Sequence, residues 1–265
     1  MTNFRNWLEK AQQHRSGIPR IRGVKGLPGV LSRGELSVVY QPIVSFETME
    51  PFAYEALVRS DSPHWTSPPK LFDEAIKSRC VGARGRAMRE IATTDLTDAP
   101  LLLNVHPNEF DESWLVQPDD PIFTHDQPIY LEVTESVPLR HFAYCHSVLR
   151  EIRGKGVSLA VDDLGAGYSN LKYIVDLKPE IVKLDRTLIA DLADDRRAQV
   201  LVRHIVRLCQ ELGALVVAEG IEQETEMKVV IDCGAHYGQG YYFARPAFPA
   251  PGVSATPRAI LKQGA

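Results

Sequence analysis

Short apolar runs alternate with longer amphipathic segments along most of this chain. The apolar runs predict strands at residues 37–44, 52–58, 101–105, 129–133, 158–161, 180–184, 214–218 and 240–243. The segments with helical spacing predict helices at residues 68–76, 83–98, 139–155, 170–177, 198–212 and 223–232. Beyond its first residues, the chain therefore consists of repeated strand–helix units.

Most of the predicted strands are apolar throughout, which indicates a parallel sheet with both faces covered by helices. About eight strands in a chain of 265 residues fit a (β/α)8 barrel, whose active site lies at the C-terminal ends of its strands. A doubly wound open sheet is the alternative, because strand order cannot be read from apolar runs alone.

Composition argues against some classes of protein but does not identify the function. The chain is 44% hydrophobic and 24% charged with a net charge of −4, as in an ordinary globular domain, and such a balance argues against a binder of DNA or RNA polymers. Its start has no apolar signal region, and no apolar run is long enough to span a membrane. The cysteines are widely scattered, which favours reduced thiols, so we expect a cytoplasmic protein.

The ends of the chain differ from its middle. Residues 1–34 carry seven Arg and Lys residues opposed by a single acid, Glu9, and are predicted to be a basic arm with a short helix near 3–14. The arm is either solvated or a docking segment for a regulatory protein partner. We expect one domain over residues 35–250 and an Ala- and Pro-rich tail over 251–265.

Polar side chains recur at the points where the apolar strands end. Because strand ends meet at one rim of a barrel, we expect these side chains to lie together. They are Glu55, Asn104, Glu132, Asp162, Asp163, Lys183, Asp185, Glu219 and Gln239. Charged groups at the ends of apolar runs are costly to desolvate without partners, and a divalent cation is the usual partner for several carboxylates.

The ligand types at this rim favour a hard cation. Carboxylate and amide oxygens without histidine or thiolate are typical of Mg²⁺ or Mn²⁺. One of the adjacent residues Asp162 and Asp163 could bridge two ions about 4 Å apart, an arrangement used to cleave phosphodiesters. Lys183 could hold the attacking water or a phosphate oxygen, or pair with the aspartates; these roles are compatible.

The most specific motif is Asp-Asp-Leu-Gly-Ala-Gly-Tyr-Ser at residues 162–169, in which two acids precede spaced glycines. With it stand Tyr-Glu-Ala-Leu-Val-Arg at 54–59, Glu-Val-Thr-Glu-Ser at 132–136, Val-Lys-Leu-Asp-Arg at 182–186 and Ala-Glu-Gly-Ile-Glu at 218–222. In this order the motifs resemble those of the EAL domain family, whose members hydrolyse the bacterial second messenger cyclic di-GMP. The resemblance covers about residues 36–246.

The resemblance implies a TIM-like (β/α)8 barrel with one antiparallel strand. It implies that Glu55, Asn104, Glu132 and Asp162 hold one Mg²⁺ or Mn²⁺ ion, and that Asp162, Asp163 and Glu219 hold a second. Lys183 and Glu219 would help position and deprotonate the water between the ions, and together with Glu55 they form the expected catalytic set.

The resemblance also implies contacts beyond the metal site. Four residues match positions that contact the nucleotide, namely Gln41, Leu57, Arg59 and Gln239. The forked donors of Arg59 suit a phosphate. Three further acids are expected to anchor loops or support the site from outside the metal shell, namely Glu135, Asp185 and Glu222. The family also implies a homodimer.

We therefore expect hydrolysis of cyclic di-GMP to linear 5′-pGpG, because every matched ligand position carries a competent residue. The alternative is a catalytically weak module that acts as a cyclic di-GMP receptor or a protein-interaction domain. Its motivation is the basic arm and the loop in which Leu164, Ala166 and Asn170 replace the more usual Phe, Thr and Ser. Hydrolysis of a different phosphodiester is a third alternative.

Overall fold

Eight strands close into a barrel in sequence order in the computed structural model, which describes residues 36–60, 81–111, 113–134, 142–166 and 171–253. The strands are β1 (Leu36–Ser45), β2 (Pro51–Ser60), β3 (Leu101–Asn104), β4 (Ile129–Thr134), β5 (Ser158–Leu164), β6 (Ile181–Leu184), β7 (Leu215–Ala218) and β8 (Tyr237–Gly238). Closure pairs β1 with β8 and leaves the barrel without a free sheet edge.

Strand β1 runs against both of its neighbours, whereas the pairs from β2 to β8 are all parallel. The β1–β2 pair is a hairpin in which Gln41 lies opposite Glu55. The predicted TIM-like barrel with one antiparallel strand is therefore confirmed, and the doubly wound open sheet is excluded.

Helices cover the outside of the barrel between the parallel strands. Those in the described part of the chain are α1 (Val81–Asp95), α2 (Phe142–Gly154), α3 (Lys172–Leu177), α4 (Arg186–Ile189), α5 (Arg196–Glu211) and α6 (Glu224–Asp232). Short 3-10 turns occur at Pro107–Asp111, Ser113–Val116 and Pro121–Phe123. A local cap fixes the start of α5, since the side chain of Asp195 accepts from the backbone N–H groups of Arg197 and Ala198.

The barrel interior contains a fully buried apolar layer. Its buried members come from six strands and are Ile43, Ala53, Leu102, Ala160, Ile181 and Val217. Two larger apolar cores lie between the strands and the surrounding segments, one around β1, β3, β4 and β5 and the other around β6 and β7. This layer fills the barrel interior below the C-terminal ends of the strands. Polar side chains above it therefore lie at one mouth of the barrel and not along an open channel.

The last strand is not where the sequence indicates it. The pattern at 240–243 predicted a strand, but β8 is Tyr237–Gly238 and the chain then turns. Gly240 packs directly on the backbone of Ile221, and the N–H of Tyr242 donates to Ile221 O at 3.0 Å. Phe243 is buried by packing in the core rather than by pairing in a sheet.

Several predictions fall on other parts of the chain. The helix at 68–76, the basic arm 1–34 and most of the tail 251–265 lie outside the described residues, so the domain boundaries stay predictions. Among the helices that the structure describes, none has the length and apolar character needed to cross a membrane.

Candidate active site

A ring of polar side chains lies on top of the apolar interior layer. Since side chains alternate between the two faces of a strand, a residue two positions along from an interior residue points inward as well. Glu55 follows Ala53 in this way, and Lys183 follows Ile181. The ring comprises Gln41, Glu55, Asn104, Glu132, Asp162, Lys183, Glu219 and Gln239. Gln41 precedes Ile43 instead, because β1 runs in the opposite direction.

Lys183 occupies the centre of the ring and is 1% exposed. Its Nζ lies 2.7 Å from Glu132 Oε1, 2.7 Å from Glu219 Oε1, 3.2 Å from Glu55 Oε2 and 3.2 Å from Asp162 Oδ1. Burial lowers the pKa of Lys183, but these carboxylates, Asp162 foremost, more than reverse that effect and hold the pKa well above its ordinary value. The lysine is therefore a permanent cation that links carboxylates from four strands.

Glu55 is held by donors on several sides. Asn104 Nδ2 donates to Glu55 Oε1 at 2.9 Å, and Gln239 Nε2 donates to Glu55 Oε2 at 2.7 Å. Burial raises the pKa of Glu55, but Lys183 and these amide donors outweigh it and lower the pKa below its ordinary value. Glu55 is therefore an ionised carboxylate in a fixed orientation.

Gln41 and Gln239, which are predicted to contact the nucleotide, also help to hold Glu55 in place. Gln239 Nε2 lies 3.2 Å from Gln41 Oε1, and Gln41 Nε2 donates to the backbone oxygen of Ala244 at 3.1 Å. The two glutamines thus connect Glu55 to the segment after β8. Their contact with a nucleotide stays a prediction.

Asp162, Asp163 and Glu219 form a compact group at the edge of the ring. One carboxylate oxygen from each lies within 4.8 Å of the other two, a spacing at which one metal ion could contact all three. Asp163 has a left-handed backbone with φ of 59°, and Ala166 N–H donates to its carbonyl oxygen at 3.0 Å. This turn brings the second aspartate back toward the first.

Two carboxyls of this group, those of Asp163 and Glu219, resist ionisation in the absence of a cation. Burial and then repulsion from Asp162 raise the pKa of Asp163 to about 6. Burial, opposed by Lys183 and reinforced by Asp162, raises the pKa of Glu219 to about 8. A divalent cation between the groups would remove the repulsion and favour their charged forms.

Glu132 gives an independent reason to expect a cation. Burial, and then repulsion from Glu55, raises the pKa of Glu132 well above its ordinary value. Its Oε2 and the Oε1 of Gln239 are buried and have no hydrogen-bond partner among the described residues. Buried oxygen atoms of this kind are costly unless a ligand satisfies them. The donor set, oxygen without imidazole or thiolate, fits Mg²⁺ or Mn²⁺.

A cavity of about 600 Å³ opens beside Glu55 and Asn104, on the β2–β3 side of the ring. Leu57 and Arg59 line it, and their contact with a nucleotide stays a prediction. Arg84 and Asn108 line it as well. Neither could be recognised in the sequence, because an arginine in a helix and an asparagine in a loop have the appearance of ordinary solvated residues.

Two of the three predicted supports, Asp185 and Glu222, lie outside the three-carboxylate group. The side chain of Asp185 caps α4, accepting from the N–H of Thr187 at 2.9 Å. Glu222 forms an ion pair with Arg186. Glu135 lies outside the described residues.

Comparison with known proteins places this geometry in a family. The family model described as the EAL domain matches residues 25–246. The chain belongs to the EAL domain family. The alignment covers the barrel and the whole polar ring, so the resemblance inferred from the motifs is confirmed.

Curated relatives of this EAL domain include two proteins of Pseudomonas aeruginosa. Cyclic di-GMP phosphodiesterase PA2567 is 35% identical over 225 residues, which are 80% of this chain and 38% of the relative. Cyclic di-GMP phosphodiesterase RocR is 30% identical over 258 residues, which are 90% of this chain and 66% of the relative. The chain therefore spans less than half of the first relative and about two thirds of the second.

Solved structures show the same barrel. The Klebsiella pneumoniae protein BlrP1, in a complex with manganese and cy-diGMP, matches with a TM-score of 0.70 and 29% identity over 83% of this chain and 58% of that one. The PaMucR phosphodiesterase in a c-di-GMP complex matches with a TM-score of 0.71 and 27% identity over 80% of this chain and 97% of that one.

Proposed function

We propose that this EAL domain is a metal-dependent phosphodiesterase that hydrolyses cyclic di-GMP to linear 5′-pGpG. The observation that carries the proposal is the ring itself, in which four carboxylates surround one buried lysine. Two of them, Asp162 and Glu219, meet Asp163 within 4.8 Å. The names of the relatives PA2567 and RocR support the substrate. The oxygen donors support Mg²⁺ or Mn²⁺ as the cofactor.

Two cations fit the donor set. Glu55, Asn104, Glu132 and Asp162 would hold one ion, and Asp162, Asp163 and Glu219 would hold the other. When bound, the ions supply Lewis acidity toward the phosphoryl oxygens and a more acidic water. The manganese complex of BlrP1 supports manganese as a cation for this site.

The protein's own groups orient the reaction. Lys183 stays protonated and donates from the centre of the ring, where it can hold an anionic oxygen or the attacking water. Glu219 lies 2.7 Å from that ammonium and next to Asp162, so it is placed to receive a proton from the same water. Asn104 and Gln239 keep Glu55 in one orientation. We assign Glu55, Lys183 and Glu219 as the catalytic set.

The cavity beside Glu55 supplies a place for the nucleotide. Its wall includes Leu57, an apolar surface for a base or ribose, and Arg59, whose guanidinium can bind a phosphate with two parallel hydrogen bonds. The substrate would then reach the ring from the β2–β3 side.

A product assay tests the proposal. Purified protein is incubated with cyclic di-GMP and Mg²⁺, Mn²⁺ or EDTA, and the products are separated by liquid chromatography with mass detection. We expect pGpG with a cation and none with EDTA. Glu55→Gln, which keeps the shape but removes the charge, should lower the rate by about a hundredfold or more. Glu47→Gln, at an exposed turn residue, is the matched control and should leave the rate unchanged.

The assay also separates the alternatives. Binding of cyclic di-GMP in the presence of either cation without formation of pGpG would contradict the proposal and support the hypothesis of a receptor. Cleavage of other phosphodiesters in preference to cyclic di-GMP contradicts the substrate. The homodimer, the cytoplasmic location and a protein partner for residues 1–34 remain predictions.

A further inference from the structure

The short helix α4 lies between the loop after β5 and the loop after β7, next to the three-carboxylate group. It begins directly after β6, the strand that carries Lys183. Asp185 joins it to the sheet, because its N–H donates to Leu164 O at 3.0 Å while its side chain caps the helix at Thr187 N. The position of α4 is therefore fixed by β5 and β6 together.

One side of α4 holds the loop after β5. Thr187 Oγ1 donates to the carbonyl oxygen of Gly165 at 3.1 Å. Gly165 has φ of 110°, and a Cβ added to it would lie 2.5 Å from a methyl group of Leu188. A side chain at this position would therefore require both a left-handed backbone and displacement of the helix. Asp162 and Asp163 lie near the end of β5, just before this loop.

The other side of α4 holds the loop after β7. A Cβ added to Gly220, whose φ is 68°, would lie 2.6 Å from the Cβ of Arg186. Arg186 also forms an ion pair with Glu222. This loop begins with Glu219. Consecutive residues of the four-residue helix therefore pack against the glycines that follow the two halves of the carboxylate group.

We propose that Thr187, with Arg186 beside it, is a positioning residue that sets the distance between the end of β5, which carries Asp162 and Asp163, and the Glu219 loop. Three close carboxylates repel one another, and their backbones need an outside restraint to present them to one cation. The Thr187 hydroxyl supplies that restraint two residues from Asp163. This role rests on the proposed function, because it assumes that the group holds a cation.

Manganese binding tests the proposal without the reaction. Mn²⁺ is titrated calorimetrically into the purified, cation-free protein, and thermal unfolding checks that each variant is folded. Thr187→Val keeps the shape and removes the hydroxyl, and we expect weaker binding by roughly threefold to tenfold. Thr187→Ser restores the hydroxyl and should bind within about twofold of the wild type. Thr93→Val is the matched control, since the Thr93 hydroxyl donates within its own helix, and it should not change binding.

Kinetics give a second readout. In Thr187→Val the rate at low Mn²⁺ should fall, the rate at saturating Mn²⁺ should recover, and the KM for cyclic di-GMP should stay the same. If the valine variant does not fold, Arg186→Met, which breaks the ion pair with Glu222, is measured in the same way.

The possible outcomes are distinct. Equal Mn²⁺ affinity in the wild type and in Thr187→Val, or an equal loss in the serine and valine variants, overturns the positioning role. If the wild type makes no pGpG but Mn²⁺ binding still weakens in the valine variant alone, the proposed function fails and the positioning role stands.

Discussion

Asp95, the last residue of α1, has a carboxylate oxygen that is buried without a hydrogen-bond partner among the residues described here. Burial raises its pKa to about 6. The charged form of Lys183 is favoured because four carboxylates surround it. The charged form of Asp95 is disfavoured because its buried oxygen has no such partner among the described residues. Asp95 therefore weakens the fold at neutral pH.

The pH dependence of this effect has a definite sign. The raised pKa means that the folded protein holds a proton on Asp95 at a pH where the unfolded chain has lost it, so stability falls as pH rises from about 4 to about 6. Asp95→Asn removes that titration. We expect the variant to be more stable than the wild type at pH 8, by about 1 kcal/mol once solvent screening of this half-exposed group is allowed for.

Urea unfolding at pH 5 and pH 8 measures the difference. The gain from Asp95→Asn should be smaller at pH 5, where the wild-type carboxyl is mostly protonated in the folded state. Asp126→Asn, at an exposed position, is the control and should be neutral at both pH values. An equal gain at both pH values would contradict the assignment of the titration to Asp95.

At the scale of elements, α1 is tied to the loop after β3 by a buried ionic network. Arg89, 2% exposed, donates to Glu109 Oε2 at 2.7 Å and to both carboxylate oxygens of Asp120 at 3.1 and 2.8 Å. Glu109 Oε1 in turn accepts from the N–H of His106 at 3.1 Å. The network thereby holds the loop that follows Asn104.

Arg89→Met tests this connection. The change leaves Glu109 and Asp120 buried without their cation, so we expect a loss of about 3–5 kcal/mol in the free energy of unfolding. Arg207→Met, which removes an arginine from an exposed helical pair with Glu211, should cost less than about 0.5 kcal/mol. Chemical denaturation of both variants gives the comparison, and similar losses would show that the network does not stabilise α1.

The elements also show which parts of the fold a sequence can predict. Strands β1 to β7 could be placed to within a few residues, because each contains a run of mostly apolar residues. Strand β8 could not, because its two residues, Tyr237 and Gly238, form no run, whereas the apolar residues after Gly240 lie in a turn that buries Phe243. The four-residue α4 is too short to show a helical period.

Some residues of the candidate site could likewise be predicted from the sequence, and others could not. A carboxylate such as Glu219 at the end of an apolar run could be recognised because it breaks the pattern. The place of Gln41 in the ring could not be derived from that pattern, because Gln41 lies in the middle of β1 and not at a strand end. It joins the ring because β1 is antiparallel to β2, which places Gln41 opposite Glu55. The contacts of Lys183 with four strands depend on barrel closure, which strand patterns do not encode.

For the whole molecule, closure of the barrel concentrates acidic groups from several strands on one buried lysine. The cation-free fold therefore retains electrostatic repulsion at its centre, as the raised pKa values of Glu132 and Glu219 indicate. A cation that binds this arrangement but not the unfolded chain must stabilise the folded state by linkage. The metal site is thus predicted to affect global stability as well as catalysis.

The expected stabilisation can be measured directly. Mn²⁺ at one hundred times its dissociation constant should add about 2.7 kcal/mol to the free energy of unfolding, which raises the melting temperature by roughly 5–10 °C for a domain of this size. EDTA should reverse the shift. Asp163→Asn should reduce it, because that residue belongs to the three-carboxylate group, whereas Asp194→Asn, at an exposed position, should not. A melting temperature that is insensitive to Mn²⁺ in the wild type would mean that the carboxylates do not hold a cation in the folded protein.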